Sequence, residues 1–402
     1  MVTIYIQRLS LTYFRNYQEQ EVDLARGINV LHGVNAQGKT NFLEACYLIG
    51  TTRAFRTRFD RELIGWGAAK EPLPYARVIA NTQQASGATE LEVVIQANST
   101  RPNLQTNHDH ENVLSPPGIY KDFSFQRSYR INKTRRRTAD MIGELRIVLF
   151  APQDVELAKG SPTQRRRYID LSISQINKRY LQTLQEYNRI ITQRNSLLRR
   201  IRDQQANVAQ LGFWNKELVE LGSSVLFTRL EMLSELNAII KSTHANLINE
   251  AKTIFVDYEP TLEIQDKKVA ALEESFQRAL EVNQSREIAA GQTLIGPHRD
   301  DIRFLLDGID IGIYGSRGEN RTVAVALKLA EAEYMRTISG EAPVLLLDDV
   351  LSELDLNRQA HLLRAISEYD QAILTTTDLN QIPSDVIQGT SSYQVTNGVI
   401  PD

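Results

Sequence analysis

The sequence predicts an α/β fold split by an inserted helical lobe, and three observations carry that prediction. A short apolar run, Gly27-Ile28-Asn29-Val30-Leu31-His32, feeds a glycine-rich turn and then an apolar helical stretch over residues 40–50. The same alternation of strand, turn and helix returns after Gly291 and closes with apolar strands at 344–347 and 372–376. Between them, over residues 162–251, the texture is helical. Tyr180, Leu184, Tyr187, Ile191, Leu198 and Ile201 recur at spacings of three, four or seven, with Arg194 interrupting the seam.

The elements follow in chain order. Alternation marks residues 3–6 and 20–24 as strands around the polar corner Phe14-Arg15-Asn16-Tyr17. Strand-like runs recur at 91–96, 124–131 and 146–150, whereas 98–118 is polar, aperiodic and read as a surface loop. Its His108-Asp109-His110 has metal-ligand residue types but no third or fourth partner nearby. A second helical seam carries Trp214, Leu218, Leu221, Val225, Leu233, Leu236 and Ile240. The polar stretch 203–210 is short, so the two helices fold back as an antiparallel hairpin. Further on, 301–306 is a strand and 319–338 a helix, whose start is fixed by the capping box of Ser316 and Glu319. The expected organisation is a head built from residues 1–160 and 290–402, carrying a helical lobe at 161–289.

Composition excludes several classes. The chain has 402 residues, 42% hydrophobic and 24% charged, enough for two to three domains without disulfide or metal staples. With 46 cationic and 49 acidic side chains the formal charge is −3, so an anionic partner must be met by a local surface. A single cysteine, Cys46, excludes an internal disulfide framework. Residues 1–10 lack the blocks of a secretory leader, and no apolar run approaches the ~18 residues of a membrane span, so a cytoplasmic protein with no membrane partner is expected.

Gly33-Val34-Asn35-Ala36-Gln37-Gly38-Lys39-Thr40 matches G-x-x-x-x-G-K-[ST] at every position, between a strand and a helix. Its glycines let consecutive N–H groups curl around phosphate oxygens, and the following helix N-terminus adds partial positive charge. In this chemistry Lys39 reaches the β- and γ-phosphates of ATP and the Thr40 hydroxyl ligates Mg²⁺, with Asn41 next in the first helical turn. The site needs a carboxylate from a neighbouring strand, and Val344-Leu345-Leu346-Leu347-Asp348-Asp349 supplies it. Asp348 emerges at the carboxyl end of a buried strand, where it completes the metal site. Asp349 can orient or deprotonate the attacking water, although glutamate is commoner in that role and a helix-cap use of the pair stays open. Lys39 and Asp348 are 309 residues apart, so a whole domain is inserted between them.

Tyr314-Gly315-Ser316-Arg317-Gly318 is, alone, an ordinary helix start. About 30 residues before Asp348, in a chain with a complete P-loop, it resembles the signature of ABC-type ATPases. That resemblance implies that Ser316 and Gly318 touch a nucleotide held by a second copy in an ATP-dependent homodimer. Asp355 takes the D-loop position and Gln153 the Q-loop position. Where many such enzymes carry a switch histidine, this chain has Thr375-Thr376-Thr377-Asp378, which leaves Thr377 or Asp378 as phosphate sensor and implies slow hydrolysis suited to a switch.

Further segments sharpen the resemblance. They are Phe14-Arg15-Asn16-Tyr17, Arg53-Ala54-Phe55-Arg56-Thr57, Gln164-Arg165-Arg166-Arg167-Tyr168-Ile169-Asp170 and Gly296-Pro297-His298-Arg299-Asp300-Asp301. Together with the motifs above they resemble the RecF family of bacterial recombination mediators, related to Rad50 and SMC heads, over residues 9–378. The implied fold is a P-loop ABC-type ATPase head, a mixed sheet with helices plus an antiparallel β subdomain, with an inserted α-helical lobe containing a short antiparallel hairpin. The resemblance implies gap repair on DNA with RecO and RecR as partners.

Candidate DNA contacts are the basic clusters. Arg53, Arg56 and Arg58, with Arg61, form one; Lys133, Arg135, Arg136 and Arg137 lie in another, 121–146, whose net charge is +5; Arg194, Arg199, Arg200 and Arg202 form a third. Such clusters bind duplex or gapped DNA through phosphates, without sequence preference, or are solvated faces. Neither a recognition helix nor an aromatic stacking motif is evident beside them. A Rad50-like tether and a transporter ATPase are the competing readings. Hairpin arms of ~40–60 Å at 1.5 Å per residue are short for the tether.

Overall fold

The computed structural model describes residues 4–84, 87–99, 123–248, 252–379, 382–383 and 389–401. The polar loop expected at 98–118, with His108-Asp109-His110, lies outside the described residues except for its first two positions. The chain divides into two compact units, residues 1–152 with 335–402, and residues 153–334. The division falls elsewhere than the expected 160 and 290. The strand at 301–306 and most of the helix at 317–339 belong to the unit of the helical lobe.

In the first unit, elements numbered in chain order are β1 (Tyr5–Phe14), β2 (Tyr17–Asp23), β3 (Gly27–His32), α1 (Lys39–Thr51), β4 (Tyr75–Gln84), β5 (Gly87–Ser99), β6 (Phe123–Ile131), β7 (Thr134–Arg136), α2 (Thr138–Met141) and β8 (Ile147–Phe150). After the second unit come β12 (Val344–Asp348), α10 (Leu356–Ile366), β13 (Gln371–Thr376) and β14 (Ser391–Gln394). One sheet is antiparallel, ordered β2-β1-β4-β5-β6-β7, and the other parallel, ordered β14-β3-β13-β12-β8. The strand expected at 3–6 runs on to Phe14. A register shift between Ile6 and Arg8 moves the inward face onto Leu9 and Leu11, which breaks the alternation in the sequence. β4 has a faint pattern because its inward residues are Ala76, Val78 and Ala80.

α1 packs against both sheets, which is why it is apolar all round. Phe42, Leu43, Ala45, Cys46, Leu48 and Ile49 are fully buried. Cys46 is therefore a core residue, its thiol pushed up by burial.

The second unit holds α3 (Glu156–Lys159), α4 (Pro162–Ile176), α5 (Lys178–Arg202), α6 (Leu211–Ile248), β9 (Ile254–Glu259), α7 (Val269–Ala290), β10 (Asp301–Leu306), β11 (Ile309–Asp310), α8 (Ile311–Tyr314) and most of α9 (Arg317–Ser339). α5 and α6 form the expected hairpin, and α7 packs on both. Gly222 of α6 allows a close approach, since a Cβ there would stand 2.3 Å from the Phe276 ring and 2.9 Å from Tyr187.

Arg194 is not a DNA contact. It is fully buried, pairing with Glu287 at 2.6 Å and bonding Asn215 and Thr293, because α7 covers the face of α5 on which it lies. The Gly296–Asp301 motif likewise builds the interior of this unit. Arg229 bonds Asp170, Tyr258 and the Pro297 carbonyl, and Asp300 accepts from Tyr258 and Thr261. Arg165 grips Asp301 through two 2.8 Å bonds, tying α4 to β10.

Candidate functional site

The glycine-rich loop joins the carboxyl end of β3 to α1. Gly33 and Gly38 have φ of 149° and 119°, values that L side chains rarely adopt. Around Gly38 there is also no room, because a Cβ would lie 2.7 Å from Asn16 Nδ2. The loop is held in shape from outside. The Gln37 carbonyl accepts from Asn16 Nδ2 at 2.9 Å and from the Gly398 N–H at 2.8 Å. Its side-chain Oε1 accepts from the Asn397 N–H at 2.7 Å, and the Tyr17 hydroxyl donates to the Gly38 carbonyl at 3.0 Å. Asn41 donates to Asn16 at 2.7 Å and accepts from Arg56 at 3.0 Å.

Parallel register brings the acidic strand alongside. β13 pairs with β12 and β3 so that Asp348 stands opposite Thr375, and Thr376 opposite His32. The carboxyl ends of all three strands thus open at one edge, where open α/β sheets place ligands. There the Thr40 hydroxyl donates to Asp348 Oδ1 at 2.7 Å, across 308 residues of chain. Thr375 donates to the same oxygen at 3.1 Å and accepts from the Asp349 N–H at 2.9 Å. Burial raises the Asp348 carboxyl above its ordinary value, against the pull of Thr40 and Thr375. Burial lowers Lys39, opposed by Asp349 and Asp348. The Lys39 ammonium donates to the Gly33 and Val34 carbonyls, at 2.5 and 2.9 Å.

These groups line a cavity of about 770 Å³. Asn35, Ala36, Gln37, Gly38, Lys39, Thr40, Asn41, Asp348, Asp349 and Thr377 are all at its wall. Sequence reasoning missed the other end, where Tyr13, Ile64, Gly65 and Trp66 supply an apolar and aromatic lining. It also missed Thr375, for which only the strand register gives a signal. Arg56, expected at DNA, lines this cavity too.

Asp355 caps α10, its carboxylate accepting from the Arg358 N–H at 3.0 Å. Ser316 forms the expected capping box, its hydroxyl 2.8 Å from Glu319, and is exposed together with Gly318. Ser316, Gly318 and Gln153 belong to the second unit.

A family model described as the RecF/RecN/SMC N-terminal domain matches residues 5–397. The protein named "DNA replication and repair protein RecF" of Chloroflexus aurantiacus is 40% identical over 99% of both chains. The chain belongs to the RecF family. A second RecF, from Latilactobacillus sakei, is 36% identical over 99% of this chain and 98% of its own. Among solved structures, that of the recombination mediator protein RecF-ATP in the RecFOR pathway matches with a TM-score of 0.83 and 28% identity, covering 99% of this chain and 97% of that one. The Pyrococcus furiosus Smc head domain matches in fold, with a TM-score of 0.53 and 16% identity over 99% of this chain and 95% of that one. The ABC-type ATPase head expected from the sequence is therefore the fold of this RecF family member. Among the described residues no helix is long and apolar enough to cross a membrane.

The other basic residues divide by what they touch. Arg127 and Arg130 are tied to Asp60 and Glu92, and Arg146 to Glu341. Arg137 pairs with Asp140. Arg53, Arg58, Lys133, Arg135 and Arg136 are exposed and make no ion pair among the described residues. Three arginines of residues 121–146 are thus neutralised by acids outside the segment, Asp60, Glu92 and Glu341, and Lys133, Arg135 and Arg136 of the β6–β7 hairpin stay exposed.

Proposed function

We propose that the chain is an ATP-dependent DNA-binding switch of replication and recombinational gap repair. The observation that carries this reading is the Thr40 to Asp348 hydrogen bond, which joins a complete phosphate loop to its acidic partner at the mouth of one cavity. The donor set suits a hard cation, since a hydroxyl and a carboxylate are oxygen ligands. Among the described residues a buried Asp349 oxygen has no hydrogen-bond partner, which leaves it able to accept from a water or to face a cation. Thr40 and Asp348 would hold Mg²⁺, which when bound neutralises charge on the β- and γ-phosphates. Lys39 would leave the loop carbonyls for phosphate oxygens, and Arg56 adds a second positive charge at the wall. Asp349, fixed by its N–H bond to Thr375, would accept a proton from the attacking water. Tyr13, Ile64 and Trp66 would hold the base.

Gln153 would sense the nucleotide. Ser316 and Gly318, exposed at a helix start, would reach the nucleotide of a second copy, with Asp355 beside it. Two chains then close as an ATP-dependent homodimer that binds duplex DNA beside single-strand gaps, and slow hydrolysis, stimulated by DNA, opens it. The names of the RecF relatives and the RecFOR pathway of the matched structures support the repair role and RecO and RecR as partners. A tether is disfavoured, because arms of 25 and 38 residues are only about 38 and 57 Å long at 1.5 Å per residue. Light scattering behind gel filtration tests the switch: a dimer with ATP and a monomer without, and a Ser316→Arg variant that binds ATP yet stays monomeric. A wild-type monomer under saturating ATP overturns it.

A further inference from the structure

Phe59 is 56% exposed, and the turn that carries it is pinned on both sides. On one side Asp60 accepts from Arg127 Nε and Nη2 at 3.0 and 2.5 Å, while Arg127 Nη1 donates to the Thr52 carbonyl at 2.5 Å. On the other, Leu63 is fully buried and its carbonyl accepts from the Arg15 N–H at 2.9 Å. The turn's own polar groups are satisfied as well. The Phe59 N–H donates to Thr57 Oγ1 at 3.0 Å, and the Glu62 N–H donates to the Phe59 carbonyl at 3.0 Å. A ring on a loose loop could fold inward to escape water. This one is held out.

The chemistry beside it selects the occupant. Arg61 stacks on the ring, its guanidinium carbon 4.7 Å from the centroid. Arg53, Arg58 and Arg61 are exposed and make no ion pair among the described residues, whereas the neighbouring Arg15 and Arg127 are paired with Glu44 and Asp60. The turn's own acids are engaged elsewhere, Asp60 by Arg127 and Glu62 by the Thr57 hydroxyl, so the cations outside any ion pair suit phosphates, and a fixed aromatic face with a stacked guanidinium suits a planar base. A base inside a duplex has both faces covered by its neighbours, so only an unpaired base can lie on the ring.

We infer that Phe59, flanked by Arg58 and Arg61, is a stacking site for an unpaired base of single-stranded DNA. The site deepens the DNA-binding reading above and rests on it. It also supplies the aromatic stacking that the sequence pattern did not reveal, and it remains tolerant of sequence because every base has a π-face.

Fluorescence anisotropy on the full chain, with ATP, tests this with three probes: a labelled oligothymidine strand, the same strand with abasic sites in place of its bases, and a duplex of equal length. Wild type should bind the intact strand about 5- to 100-fold more tightly than the abasic one. Phe59→Ala should lose that preference, Phe59→Trp should restore it, and duplex affinity should move less than about twofold in both. Circular dichroism checks that the exposed substitutions leave the fold intact. Equal binding of intact and abasic strands by wild type overturns the stacking site, as does a Phe59→Ala variant that keeps the preference, which would assign the ring to a protein partner. Failure to bind the duplex at all would instead sink the DNA-binding switch itself.

Discussion

Acidifying the protein should weaken the helical unit through one residue, His298. Its ring is half-buried: Nδ1 lies 2.7 Å from the Tyr187 hydroxyl and Nε2 is 3.2 Å from the Thr293 carbonyl. A neutral ring with its proton on Nε2 satisfies both contacts, donating to Thr293 and accepting from Tyr187. Burial lowers its pKa from 6.5 to about 4; Thr293 opposes that shift, and the charges of Arg299, Arg166 and Arg229 add to it. A base that holds its proton more weakly when folded makes the unfolded chain the better proton binder between those two values. Stability therefore falls as pH falls from about 6.5 towards 4, and above 6.5 the residue contributes nothing. At pH 4.5 the difference amounts to about 2.5 kcal/mol. Urea unfolding followed by Trp214 fluorescence, in a Trp66→Phe background so that only the helical unit reports, measures it across pH 7.5 to 4.5. His298→Asn should flatten the profile by about that amount whatever it does to absolute stability. Parallel profiles for the two proteins would refute the reasoning.

Other outcomes follow from the same geometry. Arg194→Met should cost about 3–5 kcal/mol by stranding Glu287 in the interior, and Arg194→Met with Glu287→Leu should recover much of it; chemical unfolding distinguishes the two. Gln37→Ala removes the acceptor of the Asn397 N–H and should weaken binding of a fluorescent ATP analogue by about fivefold, equivalent to ~1 kcal/mol. Asp349→Asn should leave that binding and the ATP-dependent dimer in place while abolishing phosphate release; unchanged turnover would remove Asp349 from the reaction.

The readable parts of the chain were those where one local signal sufficed. The P-loop declares itself in eight consecutive residues, and the α5–α6 hairpin shows in the seams containing Tyr187 and Leu218. β12 reads as a buried strand because four apolar residues precede Asp348. Features set by pairing across long intervals were not readable. Thr375 becomes a partner of Asp348 only through parallel register, and Trp66 and Ile64 reach the cavity because their segment folds back against Tyr13. Arginines were the least legible residues, because charge is local but its partner is not. Arg194, Arg127 and Arg53 look alike in sequence, yet one is buried on Glu287, one anchors Asp60 and one faces water.

The brace on Gln37 bears on how the protein is made. Its clasp at Asn397 lies 360 residues downstream, beyond the 308 that separate Thr40 from Asp348. During synthesis at about 5–20 residues per second, the phosphate loop is exposed for roughly 15 s to a minute before its carboxylate emerges, and longer before its clasp does. A ribosome that stalls anywhere in that interval releases a chain with the loop sequence and no working pocket. Full nucleotide affinity is thereby deferred until Asp348 and then Asn397 have been translated, which puts fragments at a disadvantage against finished molecules.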